Sequence, residues 1–79
     1  MEPAGLEATD RLLRVLKDPR VEIFLVLRNA RRPLSRKDLL KATRLNERTL
    51  DRALRWLGKA ELIDRIQDRH GEAHYYVLF

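Results

Sequence analysis

The strongest constraint on the fold of this chain is a helix-opening device written twice. Leu34 and Ser35 set a hydrophobic residue before a good N-cap. Asp38 takes the third helical position, where it favours the helix dipole, and Leu39 is spaced to staple back onto Leu34. Eleven residues on, Leu45 and Asn46 repeat the pair, with Leu50 as the staple partner. Only Thr43 to Asn46 separates the two helices that these caps open, so they must form a tight helix-turn-helix, with Leu39, Leu40, Leu50 and Leu54 available at the crossing.

The second of these helices carries two opposed stripes. At about 100° per residue, Arg48, Arg52, Arg55 and Lys59 fall on one line, while Leu50, Leu54 and Leu57 fall on the line nearly opposite. One face packs and the other offers cations. Phosphates and guanine edges both accept hydrogen bonds from Arg, so such a helix has what reading a DNA groove requires. A solvated outer face is the default for any amphipathic helix and is the competing account of the stripe.

The charge distribution points toward a polyanion. Arg28 to Lys59 holds eleven cations against Asp38, Glu47 and Asp51, a net of +8, so the flanks together carry −3 of the overall +5. A basic middle attracts a polyanion at long range and releases counterions on contact.

Seventy-nine residues allow one domain, 1–79, with a small core. In the N-terminal part, Leu6, Leu12, Leu13, Val15 and Leu16 occupy about half the circumference of a helix over residues 4–17, ending before Pro19. That apolar arc is wider than one packing seam needs. Leu6, Leu12, Leu13 and Leu16 are therefore assigned to the interface of a homodimer. Asp18 and Pro19 read as an N-cap and first helical residue of a second helix running to about Arg31. Its apolar residues Val21, Ile23, Phe24, Leu25, Val26 and Leu27 point in nearly all directions, which predicts a helix in the middle of the domain. After Leu62 the period becomes that of strands, with runs from Leu62 to Gln67 and Ala73 to Phe79 around a turn containing Gly71. These form a β-hairpin. The fold class is thus mainly α with a C-terminal hairpin, an α+β domain. Its expected core is Ile23, Phe24, Leu27, Leu39, Leu40, Leu50, Leu54, Leu57 and Ile63.

That order of elements resembles a winged helix-turn-helix domain of the ArsR-like class of transcriptional regulators. The resemblance covers roughly residues 9 to 79 and is carried by LSRKDLLKATRLNERTLDRALRWLGKAELIDR and DRHGEAHYYVL. It implies a helix-turn-helix over 35–60, its second helix in a major groove, and a wing over 62–79 beside the backbone or minor groove. Leu62 and Ile63 match the start of the wing, and Tyr75 and Tyr76 its returning strand. Glu61 stands where these families commonly carry Gly, so the recognition helix is expected to end early, near Gly58, or to end strained. The chain has no Cys, so the thiolate ligands of the metal-sensing members have no counterpart.

The docking geometry implied by the resemblance assigns Arg48, Thr49 and Arg52 to the first turns, where base edges are reached, and Arg55 and Lys59 to phosphates. An Asp51 to Arg55 pair at i,i+4, or Glu47 beside Arg48, would hold a guanidinium back. Ser35, Arg36 and Lys37 open the preceding helix, whose amides suit a phosphate. Arg44 in the turn, and Arg65, Arg69 and His70 in the wing, complete the candidate DNA contacts. His70, Glu72 and His74 read as surface residues rather than metal ligands, and Trp56 as a half-buried packing residue beside the stripe.

No cofactor or metal is expected. Ser35, the only Ser, is accounted for as a cap, and no glycine-rich phosphate loop or carboxylate dyad appears, so no catalysis is expected. No segment approaches the ~20 apolar residues of a membrane span, and Met1 to Asp10 lacks the pattern of a signal peptide, so the expected location is cytoplasmic. The expected activity is sequence-specific binding of double-stranded DNA as a transcriptional regulator. Two alternatives stay open: a protein-interaction module in a larger assembly, and RNA binding.

Overall fold

The computed structural model describes residues 18–79. The helix expected over 4–17, and with it the assignment of Leu6, Leu12, Leu13 and Leu16 to a dimer interface, lies outside the described residues. Residues 18–79 form a small α+β domain of three helices and a three-stranded antiparallel sheet.

Helix α1 spans Pro19–Ala30. The Asp18 carboxylate accepts from the backbone N–H of Arg20 at 2.9 Å, and Pro19 fills the first turn, where its missing N–H loses no bond. Only Ile23 and Leu27 are buried on this helix; Val21, Phe24, Leu25 and Val26 are half-buried. The helix is central, as expected, but it buries one stripe rather than its whole circumference. Ile23 and Leu27 are four residues apart and lie on one stripe, and α1 has neighbours on that side in the two later helices and the last strand.

Strand β1, Leu34–Ser35, leads directly into α2, Arg36–Thr43. The expected cap is complete here. Ser35 Oγ accepts from the N–H of Asp38 and the Asp38 carboxylate accepts from the N–H of Ser35, each at 3.1 Å, so two backbone donors are satisfied reciprocally. At the other end the hydroxyl of buried Thr43 donates to the Leu39 carbonyl at 2.6 Å. Helix α3 spans Glu47–Lys59, with the Asn46 side chain accepting from the N–H of Thr49 at 2.8 Å.

The helix does not stop at Gly58. It runs on through Lys59, and Glu61 turns into the left-handed region at φ 59°. The N–H of Leu62 donates to the Leu57 carbonyl and that of Glu61 to the Gly58 carbonyl, each at 3.1 Å, which is the bonding pattern of a Schellman motif closed by a residue with a Cβ. Of the two outcomes expected there, the strained end is the one observed. Arg31 and Arg44, which close α1 and α2, are left-handed too, at φ 56° and 60°.

Strands β2, Ile63–Gln67, and β3, Ala73–Val77, make the expected hairpin in register from Ile63 opposite Val77 to Gln67 opposite Ala73. Between them the Asp68 carboxylate accepts from the N–H groups of His70 and Glu72 at 2.8 and 3.0 Å, and Gly71 supplies the left-handed residue at φ 81°. The sheet has a third strand that the hairpin pattern did not predict. β1 pairs with the free edge of β3, Leu34 opposite Tyr75 and Ser35 opposite His74, giving the order β1-β3-β2.

The core gathers Ile23, Leu27, Leu39, Leu50, Leu54, Leu57 and Ile63, as expected, together with Leu34 and Ala53. Phe24 and Leu40 are corrected to its margin, where they are half-buried and pack against it. No helix among the described residues is long and apolar enough to cross a membrane.

Candidate nucleic-acid interface

Helix α3 is docked by Leu50, Ala53, Leu54 and Leu57, all buried. The face turned away holds Arg48, Arg52, Arg55 and Lys59, all exposed, and among the described residues none of the four is in an ion pair. Thr49, half-buried, lies on the flank facing α1 rather than on the stripe itself. The anticipated holding of Arg55 by Asp51 does not occur as a bonded pair. Asp51 instead bonds Arg36 across the turn, with the guanidinium Nε and Nη2 donating to the two carboxylate oxygens at 2.7 and 2.8 Å, while Nη1 reaches Glu47 at 3.3 Å.

That fork fixes the start of α2 against the first half of α3. Hydrogen bonding to Arg36 holds the Asp51 carboxyl below the ordinary carboxylate range, and the same bond raises the Arg36 guanidinium above its ordinary value. Arg36 is thus occupied by two carboxylates. Ser35 is 6 % exposed and its hydroxyl is committed to the α2 cap, so this helix start presents chiefly Lys37, which is exposed. Arg44 is exposed at the end of α2, where its left-handed backbone turns the chain toward Asn46.

On the sheet side of α3 a groove of about 440 Å³ is lined by Arg55 and Lys59 from the helix and by Arg65 and Tyr75 from the hairpin, with Asp51 and Gly58 on the helix side. Arg65 faces Tyr75 across the strands, and both side chains come to the face of the sheet that α3 covers. The structure therefore joins three of the candidate cations around one concavity. It leaves Arg69 and His70 exposed on the turn at the far end of the hairpin, outside that groove.

Three features were missed at the sequence level. Tyr75 was read only as a strand residue, yet it lines the groove. The Arg36–Asp51 bond spans 15 residues, beyond any helical spacing rule. On the opposite flank of α3, Trp56 is corrected from half-buried to exposed, at 48 %, and Arg20 stacks over it, with Cζ 4.5 Å from the ring centroid, while the same guanidinium bonds Asp18 at 2.9 Å. The two aromatic flanks bracket the cationic stripe.

In the hairpin turn, Asp68, Glu72 and His74 bring ligand-type atoms within 4.8 Å of one another; His70 is not part of this group. The Asp68 carboxylate is held below its ordinary range, first by the N–H of Glu72 and then by the His74 ring at 3.1 Å. It closes the turn, and the cluster needs no ion to account for it.

No protein-family model matches the chain, and comparison with curated proteins gives no match.

Proposed function

We propose that the chain is a winged helix-turn-helix protein that binds double-stranded DNA and acts as a transcriptional regulator, with α3 in the major groove and the β2–β3 hairpin as the wing on the adjoining backbone or minor groove. The observation that carries this reading is the row Arg48, Arg52, Arg55 and Lys59, exposed on the face opposite the buried leucines and left without carboxylate partners among the described residues. A stripe serving solvation alone has no need to be spared from pairing when Asp51 and Glu47 are on the same helix. Both carboxylates bond Arg36 instead, and Asp51 reaches Arg55 through its charge alone. The wing follows from Arg65, which adds its charge to Arg55 and Lys59 across the groove.

In this reading Arg48 and Arg52, near the N-terminal end of α3, meet base edges, as the first turns of a recognition helix do. Arg55, Lys59 and Arg65 meet phosphates. Thr49 supports the docking of the first turn, and Lys37, Arg44, Arg69 and His70 add positive or polar surface at the margins. A homodimer with two such helices about one DNA turn apart is the natural form for a two-fold site.

Selection of bound duplexes from a random pool, followed by titration of Arg48→Ala, Arg52→Ala and Lys59→Ala on the selected site and on a scrambled duplex, tests the assignment. Each of the two arginine variants should lose about 1 to 3 kcal/mol on the selected site and little on the scrambled one. Lys59→Ala should weaken both alike and shallow the salt slope by about one unit. No loss on either duplex would transfer the basic face to an acidic protein partner, and a palindromic selected site would support two copies bound together.

A further inference from the structure

A second basic concavity lies away from α3. The end of α1 and the segment after it contribute Leu27, Arg28, Arg31 and Arg32 to a cleft of about 360 Å³, and the end of β3 and the residues after it contribute Tyr76 and Phe79. Tyr75 and Tyr76 are neighbours on one strand, so their side chains leave opposite faces of the sheet. Tyr75 lines the groove beside α3 and Tyr76 lines this cleft, and the two concavities share no residue. A cation near a helix C-terminus often serves only the helix dipole. That accounts for Arg28, in the last turn, and for Arg31, the C-cap, but not for Arg32, which lies beyond the helix, nor for the gathering of all three around one cleft. All three are exposed, and among the described residues none is in an ion pair, although the charge of Arg32 reaches the carboxyl of Asp38.

We propose that this cleft is a second nucleic-acid site, separate from the α3 face, that takes unpaired nucleotides: Arg28, Arg31 and Arg32 hold phosphates, and Tyr76 and Phe79 stack on bases. The proposal stands apart from the duplex reading of α3. Phe79 is 79 % exposed and is set among guanidiniums, a poor environment for a purely apolar partner. A duplex keeps its base faces stacked inside and offers nothing flat to these rings, whereas single strands combine a backbone for cations with π-faces for aromatics. An acidic peptide would satisfy the arginines and leave the rings without flat partners. The volume also suits a ligand of nucleotide size, at the lower end of small-molecule sites.

The experiment is anisotropy of a labelled short oligothymidylate and of a labelled blunt duplex against the full chain, at two salt concentrations. Phe79→Ala, Tyr76→Leu and the double variant Arg31→Ala/Arg32→Ala should each weaken oligothymidylate at least about fivefold and leave duplex binding within twofold of the parent. Arg48→Ala/Arg52→Ala should do the reverse. Because Tyr76 is half-buried, each variant's melting curve is taken first, and Phe79→Ala, at a highly exposed ring, keeps the test decisive if Tyr76→Leu unfolds. Oligothymidylate binding that is unchanged in Phe79→Ala and in the double arginine variant, or that falls with Arg48 and Arg52 instead, overturns the proposal. So does displacement of oligothymidylate by polyglutamate at equal charge concentration. Loss of duplex binding alone in the Arg48/Arg52 variant leaves this cleft intact, so the two readings fail separately.

Discussion

Asp51→Ala is expected to strengthen duplex binding while leaving the fold almost unchanged. Asp51 holds the Arg36 guanidinium through two bonds of 2.7 and 2.8 Å, and its charge also reaches Arg55 on the stripe. The Arg36 and Asp51 side chains are 39 % and 49 % exposed, so the pair belongs to the solvent-screened class that adds little to stability. Alanine is the better helix former at such a position by roughly 0.5 kcal/mol, which offsets most of that. For DNA the balance is one-sided. A carboxylate leaves the edge of the cationic face, and Arg36, left with only the longer 3.3 Å contact to Glu47, becomes available to a phosphate. One added phosphate contact steepens the dependence of log affinity on log salt by about 0.9, so between 50 and 200 mM salt the variant should lose about 3.5-fold more affinity than the parent. Anisotropy titrations across that range measure the slope directly. In an Arg36→Ala background the gain from Asp51→Ala should shrink, because the released guanidinium is absent. An unchanged slope, or weaker binding at low salt, would refute the reasoning that Asp51 restrains a DNA-facing cation.

The other expectations concern the frame that holds the stripe. Leu54→Ala, at a buried position on the packed face of α3, should cost about 2 to 5 kcal/mol in urea unfolding, and an unchanged midpoint would mean the helix is not docked by its leucines. Ser35→Ala should cost about 0.5 to 2 kcal/mol by removing the α2 cap. Asp38, whose carboxyl is lowered chiefly by the N–H of Ser35, stabilises the fold fully above its ordinary pKa of 3.8 and loses that contribution as pH falls through the lowered value. The melting difference between parent and Asp38→Ala should therefore be present near neutrality and shrink in strong acid; a gap that widens on acidification contradicts the assignment. Glu61→Gly should raise the melting temperature, because relief of the left-handed penalty, about 1 to 2 kcal/mol, exceeds the added freedom of the unfolded chain, roughly 0.5 to 1 kcal/mol; a clear drop would contradict strain at this helix end.

What could be read from the residues was local. The caps at Asp18, Ser35 and Asn46, the α3 stripes and the Gly71 turn each depend on neighbours within a few positions, and each is found. The misses depend on distant partners. β1 has two residues, too short for any alternation to register, and exists because β3 lies beside it from 40 residues further on. The i,i+4 rule favoured Asp51 with Arg55, but the turn between α2 and α3 brings Arg36 within bidentate reach, a planar fork matched to a carboxylate in a way that two side chains on one helix are not. Spacing alone puts Phe24 and Leu40 on inward faces, but their helices bury only a narrow stripe, and both stand at its edge.

Ser35 belongs to two elements at once. It is the last residue of β1, in register with His74 of β3, and it is the N-cap of α2. A load applied at the hairpin tip can therefore travel along the central strand to the first turn of α2 without crossing the hydrophobic interior. The hairpin and the α2–α3 pair should then open together, so that amide hydrogens of β3 and of α2 exchange with the same free energy, as members of one cooperative unit. A ligand that stiffened the hairpin would slow exchange at the start of α2, a helix it never touched.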